Sequence, residues 1–160
     1  MDYFAYGSNL NLTDLNNWCD DHDYKQVKPL KVKVGVLKGY KLDFNYKSSG
    51  RKSRTLNIMR DRDSEVEGAI LSLTKEDYQT IYKKEGAPNY YKEIEVIIHL
   101  NNKTKRVKTF KVVNSKEEKH FEPPTEEYLD IFTGGAEKMG LSNSYIREVE
   151  RNASVISDKK

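Results

Sequence analysis

Tyr3-Phe4-Ala5-Tyr6-Gly7-Ser8-Asn9-Leu10 is the stretch on which the reading of this chain turns. Residues 3–6 read as a short aromatic strand. Gly7, Ser8 and Asn9 are turn and cap formers that stop it. Residues 10–18 follow as a short helix with Leu12 and Leu15 on one side. A strand that passes through a glycine turn into a helix start points successive backbone N–H groups into one space, and the helix start adds its dipole. A carboxylate or a developing oxyanion is stabilised in such a place. A capped turn with no ligand has the same local pattern, so the loop by itself leaves both readings open.

Working outward, residues 31–37 alternate, with Val32, Val34 and Val36 on one side and Lys31 and Lys33 on the other, as in a half-buried strand. Tyr40, Leu42, Phe44 and Tyr46 share a face of a second strand. Residues 48–53 read as a basic, polar loop, and residues 55–59 as a short strand ended by a turn cluster at 61–64. Residues 66–73 form a strand around Gly68. Thr74-Lys75-Glu76-Asp77 resembles a capping box with Asp in place of the usual Glu or Gln, and the helix behind it puts Tyr78, Ile81 and Tyr82 on one face before stopping at Glu85-Gly86. Residues 94–100 and 106–113 read as a hairpin around Asn101-Asn102-Lys103. After Pro123-Pro124, helices are expected over 125–139 and 143–152, separated by Gly140, although Gly134-Gly135 lowers the helix propensity of the first. The pattern is α+β, with strands curling into a small barrel or a strongly bent sheet. It makes one domain over 1–152 and a flexible tail over 153–160.

The bulk numbers narrow the function classes. A chain of 160 residues suits one domain. Its 28 basic and 25 acidic residues leave a net charge of +3, too slight to argue for a polyanionic partner. The one basic concentration comprises Lys25, Lys28, Lys31, Lys33, Lys38, Lys41, Arg51, Lys52 and Arg54. It reads as the solvent face of strands, where lysine discourages edge pairing, rather than as a nucleic-acid surface, because acidic residues are spread along the same chain. A single cysteine, Cys19, cannot form an internal disulfide. Residues 1–10 carry no signal-peptide pattern, and no apolar run approaches a membrane span, so the expectation is a soluble, cytoplasmic protein with neither nucleic-acid nor membrane partners. Asp20-Asp21-His22-Asp23 reads as a solvated acidic loop rather than a metal site, since neighbouring side chains in one short loop do not easily converge. No metal is expected.

The second segment with chemical content is Glu85-Gly86-Ala87-Pro88-Asn89-Tyr90-Tyr91. A carboxylate at the negative end of a helix, close to tyrosines, resists ionisation as a general base working near neutral pH needs. The charges of Lys83 and Lys84 act the other way, and a solvated surface Glu is the plain alternative. Tyr128, just after Pro123-Pro124, reads from its position as a core aromatic or a hydrogen-bonding lid.

Taken together these segments resemble the γ-glutamylcyclotransferase family, with its plant and bacterial relatives. Tyr3 to Leu10 looks like that family's Tyr-Gly-Ser-Asn-Leu loop, Tyr40 to Phe44 like its Lys-Leu-Asp-Phe strand, and Glu85-Gly86 like its catalytic Glu-Gly. Residues 65–73 and 91–96 resemble two further strands, and 123–128 and 134–141 its C-terminal region. The resemblance implies a small mixed β-barrel surrounded by helices. It also implies a cofactor-independent enzyme: the α-amine of a γ-glutamyl group attacks its own γ-carbonyl, 5-oxoproline closes, and an amine or amino acid leaves. Glu85 would be the general acid/base. Tyr6, Gly7, Ser8, Asn9, Leu10, Tyr91 and Tyr128 would bind the small-molecule γ-glutamyl substrate, with Tyr90 the alternative to Tyr91. The alternative is a non-catalytic protein that binds a small metabolite on the same fold. The oligomeric state is left open, with room for a homodimer.

Overall fold

The computed structural model describes residues 1–158. Five strands close into a barrel in the order β1-β3-β2-β4-β5: β1 Asp2–Ala5, β2 Lys31–Ser48, β3 Ser53–Ser72, β4 Tyr91–Leu100 and β5 Lys103–Val112. Neighbours are antiparallel except at the closing seam, where β1 runs parallel to β5 with Tyr3 opposite Lys108. The barrel is therefore mixed, and the helices α1 Leu12–Asp21, α2 Lys75–Lys84, α3 Glu126–Met139 and α4 Asn143–Asp158 accompany it. The expected α+β barrel is what the chain forms.

β2 and β3 each replace two expected strands. Between the pairs Lys38–Glu65 and Tyr40–Arg60, Gly39 alone stands opposite residues 61–64. The expected turn at 61–64 is thus a wide bulge inside one continuous strand. Gly39 takes a left-handed φ of +82° there, and Asp61 steadies the bulge by accepting hydrogen bonds from Ser64 Oγ at 2.8 Å and the Asp63 N–H at 3.3 Å. A second bulge sets Phe44 and Asn45 against Leu56, which turns both residues inward and buries them. Beyond the first bulge the two strands run on together as a hairpin that reaches over the hollow described below.

The valine face of residues 31–37 does not face the core. Val32 and Val34 are 41% and 39% exposed, while Gly35 and Leu37 on the other face are buried. The reason is steric. A Cβ on residue 35 would lie 2.5 Å from Ile98 Cγ2, so only glycine fits beneath β4, and it fixes which side of β2 is inside. Gly68 serves the same purpose one strand over, where a Cβ would meet the Ala5 carbonyl oxygen at 2.4 Å.

The helix termini follow their caps. The expected helix over 10–18 divides: Ser8–Leu10 is a single 3-10 turn, and Asn11 caps α1 by accepting from the Asp14 N–H at 3.0 Å. Asn11 Nδ2 donates to the Ile131 carbonyl at 3.1 Å, tying α1 to α3. A cap of this kind contributes about 1 kcal/mol. At α2, Thr74 Oγ1 accepts from the Asp77 N–H, but the reciprocal half of the box is missing. Asp77 instead accepts from the Lys28 N–H at 3.1 Å and anchors the loop that precedes β2. α4 runs to Asp158 rather than ending near 152, because Ala153 continues the buried stripe of Ile146 and Val149. The tail expected over 153–160 therefore begins as helix, and residues 159–160 lie outside the described residues.

Candidate active site

α2 ends at Glu85, and Gly86 follows with a left-handed φ of +65°, its N–H donating to the Lys83 carbonyl at 3.0 Å. This ending turns the Glu85 side chain toward the end of β1. Asn9 Nδ2 donates to Glu85 Oε1 at 2.7 Å and lies 2.9 Å from Tyr3 Oη. Lys84 Nζ donates to Asn9 Oδ1 at 2.8 Å. The Asn9 carboxamide is thus held at both ends, and its Nδ2–H is aimed at the carboxylate. The Asn9 side chain is buried and Glu85 is half-buried.

These groups line a cavity of about 610 Å³ that also takes in Tyr6, Gly7, Ser8, Tyr91, Phe110 and Tyr128. That volume falls in the usual range of small-molecule sites. Burial raises the pKa of Tyr3, Tyr6 and Tyr91, the Glu85 charge adding to it in each, and pushes Tyr128 up to about 12. All four hydroxyls are therefore protonated near neutral pH. Two are committed to the wall, Tyr6 Oη donating to the Phe110 carbonyl at 2.5 Å and Tyr91 Oη to the Leu56 carbonyl at 3.2 Å. Tyr128 Oη differs. It accepts from the Leu56 N–H at 3.1 Å, which leaves its own proton to give. Burial lowers the pKa of the Lys84 amine, with the neighbouring Glu85 charge opposing the shift.

The residues singled out in the sequence come together with one exception. Leu10 is 1% exposed, and its N–H donates to the Gly7 carbonyl at 3.1 Å, so it supports the loop from the core side. Gly7, Ser8 and Asn9 remain at the cavity. Both adjacent tyrosines line the cavity, Tyr91 buried in the wall and Tyr90 48% exposed at the rim. Among the described residues no group of three or more His, Cys, Asp or Glu side chains is arranged to hold a metal ion. Nor is any helix among them long and apolar enough to cross a membrane.

Other lining residues were not read as site residues. Arg51, at the tip of the β2–β3 hairpin, falls in the stretch whose sequence reads as a basic, polar loop. Its guanidinium instead pairs with Asp14 of α1 at 2.6 and 3.3 Å and lies over the Tyr128 ring, 5.6 Å from its centroid. Burial is the largest influence and works against its charge, but the hydrogen bonds to Asp14 and the surrounding negative charges, Asp14 first, together outweigh it, and the net shift of its pKa is upward. Asp14 had a faint signal in the sequence: with Asn17, Trp18, Asp21 and His22 it forms a stripe at helical spacing, and all five line the cavity. Arg51 had none.

Gly7 sits where the loop passes under β3. A Cβ there would lie 3.6 Å from both Leu56 Cβ and Tyr128 Oη, which is ordinary contact. Gly7→Ala is therefore expected to be tolerated. The extra methyls of Gly7→Val overfill the gap, at a cost of about 1–3 kcal/mol, and crowd the Tyr128 hydroxyl. Ligand titration should show weaker binding for the valine variant alone; equal affinities for the two variants would contradict this geometry.

A closed five-stranded mixed barrel with a half-buried carboxylate at the end of one helix defines an α+β protein of γ-glutamyl cyclotransferase-like fold. The chain belongs to the AIG2-like family, whose model matches residues 65–149. Among solved structures it is similar to a γ-glutamyl cyclotransferase at a TM-score of 0.77 and 24% identity, over 93% of this chain and 85% of that one. It is also similar to the uncharacterized protein loc79017 from Homo sapiens, at a TM-score of 0.74 and 26% identity over 93% and 85% of the two chains. YkqA from Bacillus subtilis gives 0.77 and 24%, with 96% of this chain aligned to 54% of that one. No curated protein matches the chain in sequence.

Proposed function

We propose that the protein is a γ-glutamylcyclotransferase, converting γ-glutamyl compounds to 5-oxoproline and a free amine or amino acid. The observation that carries this reading is the Glu85 carboxylate, half-buried in a tyrosine-walled cavity and fixed by Asn9 from the first loop of the chain. Glu85 takes a proton from the substrate's α-ammonium, which frees a lone pair to attack the γ-carbonyl carbon. A C–N bond forms, and the carbonyl oxygen becomes an oxyanion. The leading N–H groups of the 3-10 turn after Gly7 have no partner within that turn, and together with the Tyr128 hydroxyl they are the donors on hand for the oxyanion. The old C–N bond then breaks. The ring nitrogen ends with one hydrogen, and the two protons it has lost end on the departing amine, carried by Glu85 in turn.

Nucleophile and electrophile belong to one molecule, so most of the catalytic demand is conformational: the cavity must hold the glutamyl arm folded. The assay that tests the reading is 5-oxoproline release from a panel of γ-glutamyl amino acids and γ-glutamylamines, followed by mass spectrometry. Release from at least one of them is expected. Binding of these compounds without any release would instead support a metabolite-binding protein.

A further inference from the structure

We propose that Arg51 is the residue that selects the leaving group, and that it favours γ-glutamyl compounds whose departing amine carries a carboxylate of its own. The proposal rests on the cyclotransferase reading for the placement of the glutamyl arm beside Glu85. With that arm placed at the carboxylate and the buried tyrosines, the departing amine is left the remainder of the cavity, which Arg51 of the hairpin tip and Asp14 of α1 line.

There Arg51 is held still. Asp14 receives two of its five guanidinium N–H groups, and the Tyr128 ring lies against the guanidinium. Its side chain is 25% exposed, so it is screened from water without being sealed off. The remaining three N–H groups meet no acceptor among the described residues. A planar fork with fixed orientation and unused donors matches a carboxylate. A simple alkylamine leaving group offers those donors nothing, whereas an amino-acid leaving group brings two acceptor oxygens. The other cation of the cavity, Lys84, is already committed to Asn9.

The test uses the unreactive Glu85→Gln protein as a binding background, with γ-glutamyl-alanine and γ-glutamyl-ethylamine titrated by calorimetry. The two ligands share the glutamyl half, so loss of the Glu85 charge affects both. With Arg51 present, the alanine compound should bind about 10- to 100-fold tighter, the scale of one charge-assisted contact. With Arg51→Met added, the preference should shrink to about twofold or less. Arg51→Lys, a point charge without the fork, should keep an intermediate preference, and it carries the test if the methionine variant does not fold. A preference that survives Arg51→Met, an undiminished preference in Arg51→Lys, or no preference to begin with overturns the proposal, as does failure of the alanine compound to bind. Turnover by the parent protein is read separately. Absence of 5-oxoproline with the binding preference intact would sink the cyclotransferase reading and leave Arg51 as a carboxylate anchor.

Discussion

Glu85→Gln should lower kcat for 5-oxoproline release by about 10²- to 10⁴-fold, the range spanned by general acid–base groups. The substitution is close to isosteric. Gln Oε1 can still accept from Asn9 Nδ2, so the contact that orients residue 85 is kept. Lys84 still meets Asn9 Oδ1, and the end of α2 is set by backbone bonds to Ile81 and Lys83 rather than by the carboxylate. What disappears is the capacity to take a proton from the substrate ammonium and return one to the departing amine. The measurable signature is a collapse of kcat with the thermal midpoint little changed. Turnover at the parent rate would remove Glu85 from the mechanism.

Gly135→Val should be the most damaging substitution outside the cavity. Gly135 lies within α3, facing the first loop, and a Cβ there would stand 2.5 Å from the Asn11 backbone nitrogen and 2.7 Å from the Leu10 carbonyl carbon. Both are backbone atoms, which cannot swing aside as a side chain does. Either α3 withdraws or the segment from Gly7 to Asn11 shifts, and with it the Asn11 cap and the Asn9 amide that meets Glu85. We expect a loss of about 3 kcal/mol or more in denaturant unfolding, at the upper end of overpacking effects, together with lower activity in the protein that remains folded. Gly134 provides the contrast. It is exposed, and a Cβ there would find only Asn11 Nδ2, at 3.8 Å. Gly134→Ala should therefore be neutral or stabilising, by up to about 1 kcal/mol from helix propensity. Equal effects at the two positions would show that the close approach of α3 to the loop is not what Gly135 is for.

The adjacent glycines show how far the residues could be read. In the sequence they only weakened a helix. In the fold, one faces solvent and the other is the point where α3 touches the loop, because neighbouring positions on a helix point about 100° apart and only one can meet a given partner. The bulge opposite Gly39 is a similar case. Asp61 to Ser64 have turn chemistry and use it locally, but the chain keeps the same partner strand on both sides, so no reversal follows. The cavity tyrosines were picked out by the family resemblance, whereas the turn at Gly7 and the end of α2 at Glu85-Gly86 were legible because each is a local pattern. Arg51 was not, since nothing within a few residues of a hairpin tip reports that the tip folds over a cavity.

The order of residues by itself determined the pieces whose causes lie within a few positions: the stop at Gly7, the cap at Thr74, the end of α2 at Glu85-Gly86, and the α+β mix. Tertiary structure alone decided which face of β2 is inside, since that depends on Gly35 meeting Ile98 across the barrel. It also decided the polar partners of the site: Asn9 and Glu85 are 76 positions apart, and Arg51 and Asp14 are 37. Short-range propensities act over one or two turns of chain, whereas these contacts exist only once the strands have closed and brought distant segments to the same end of the barrel.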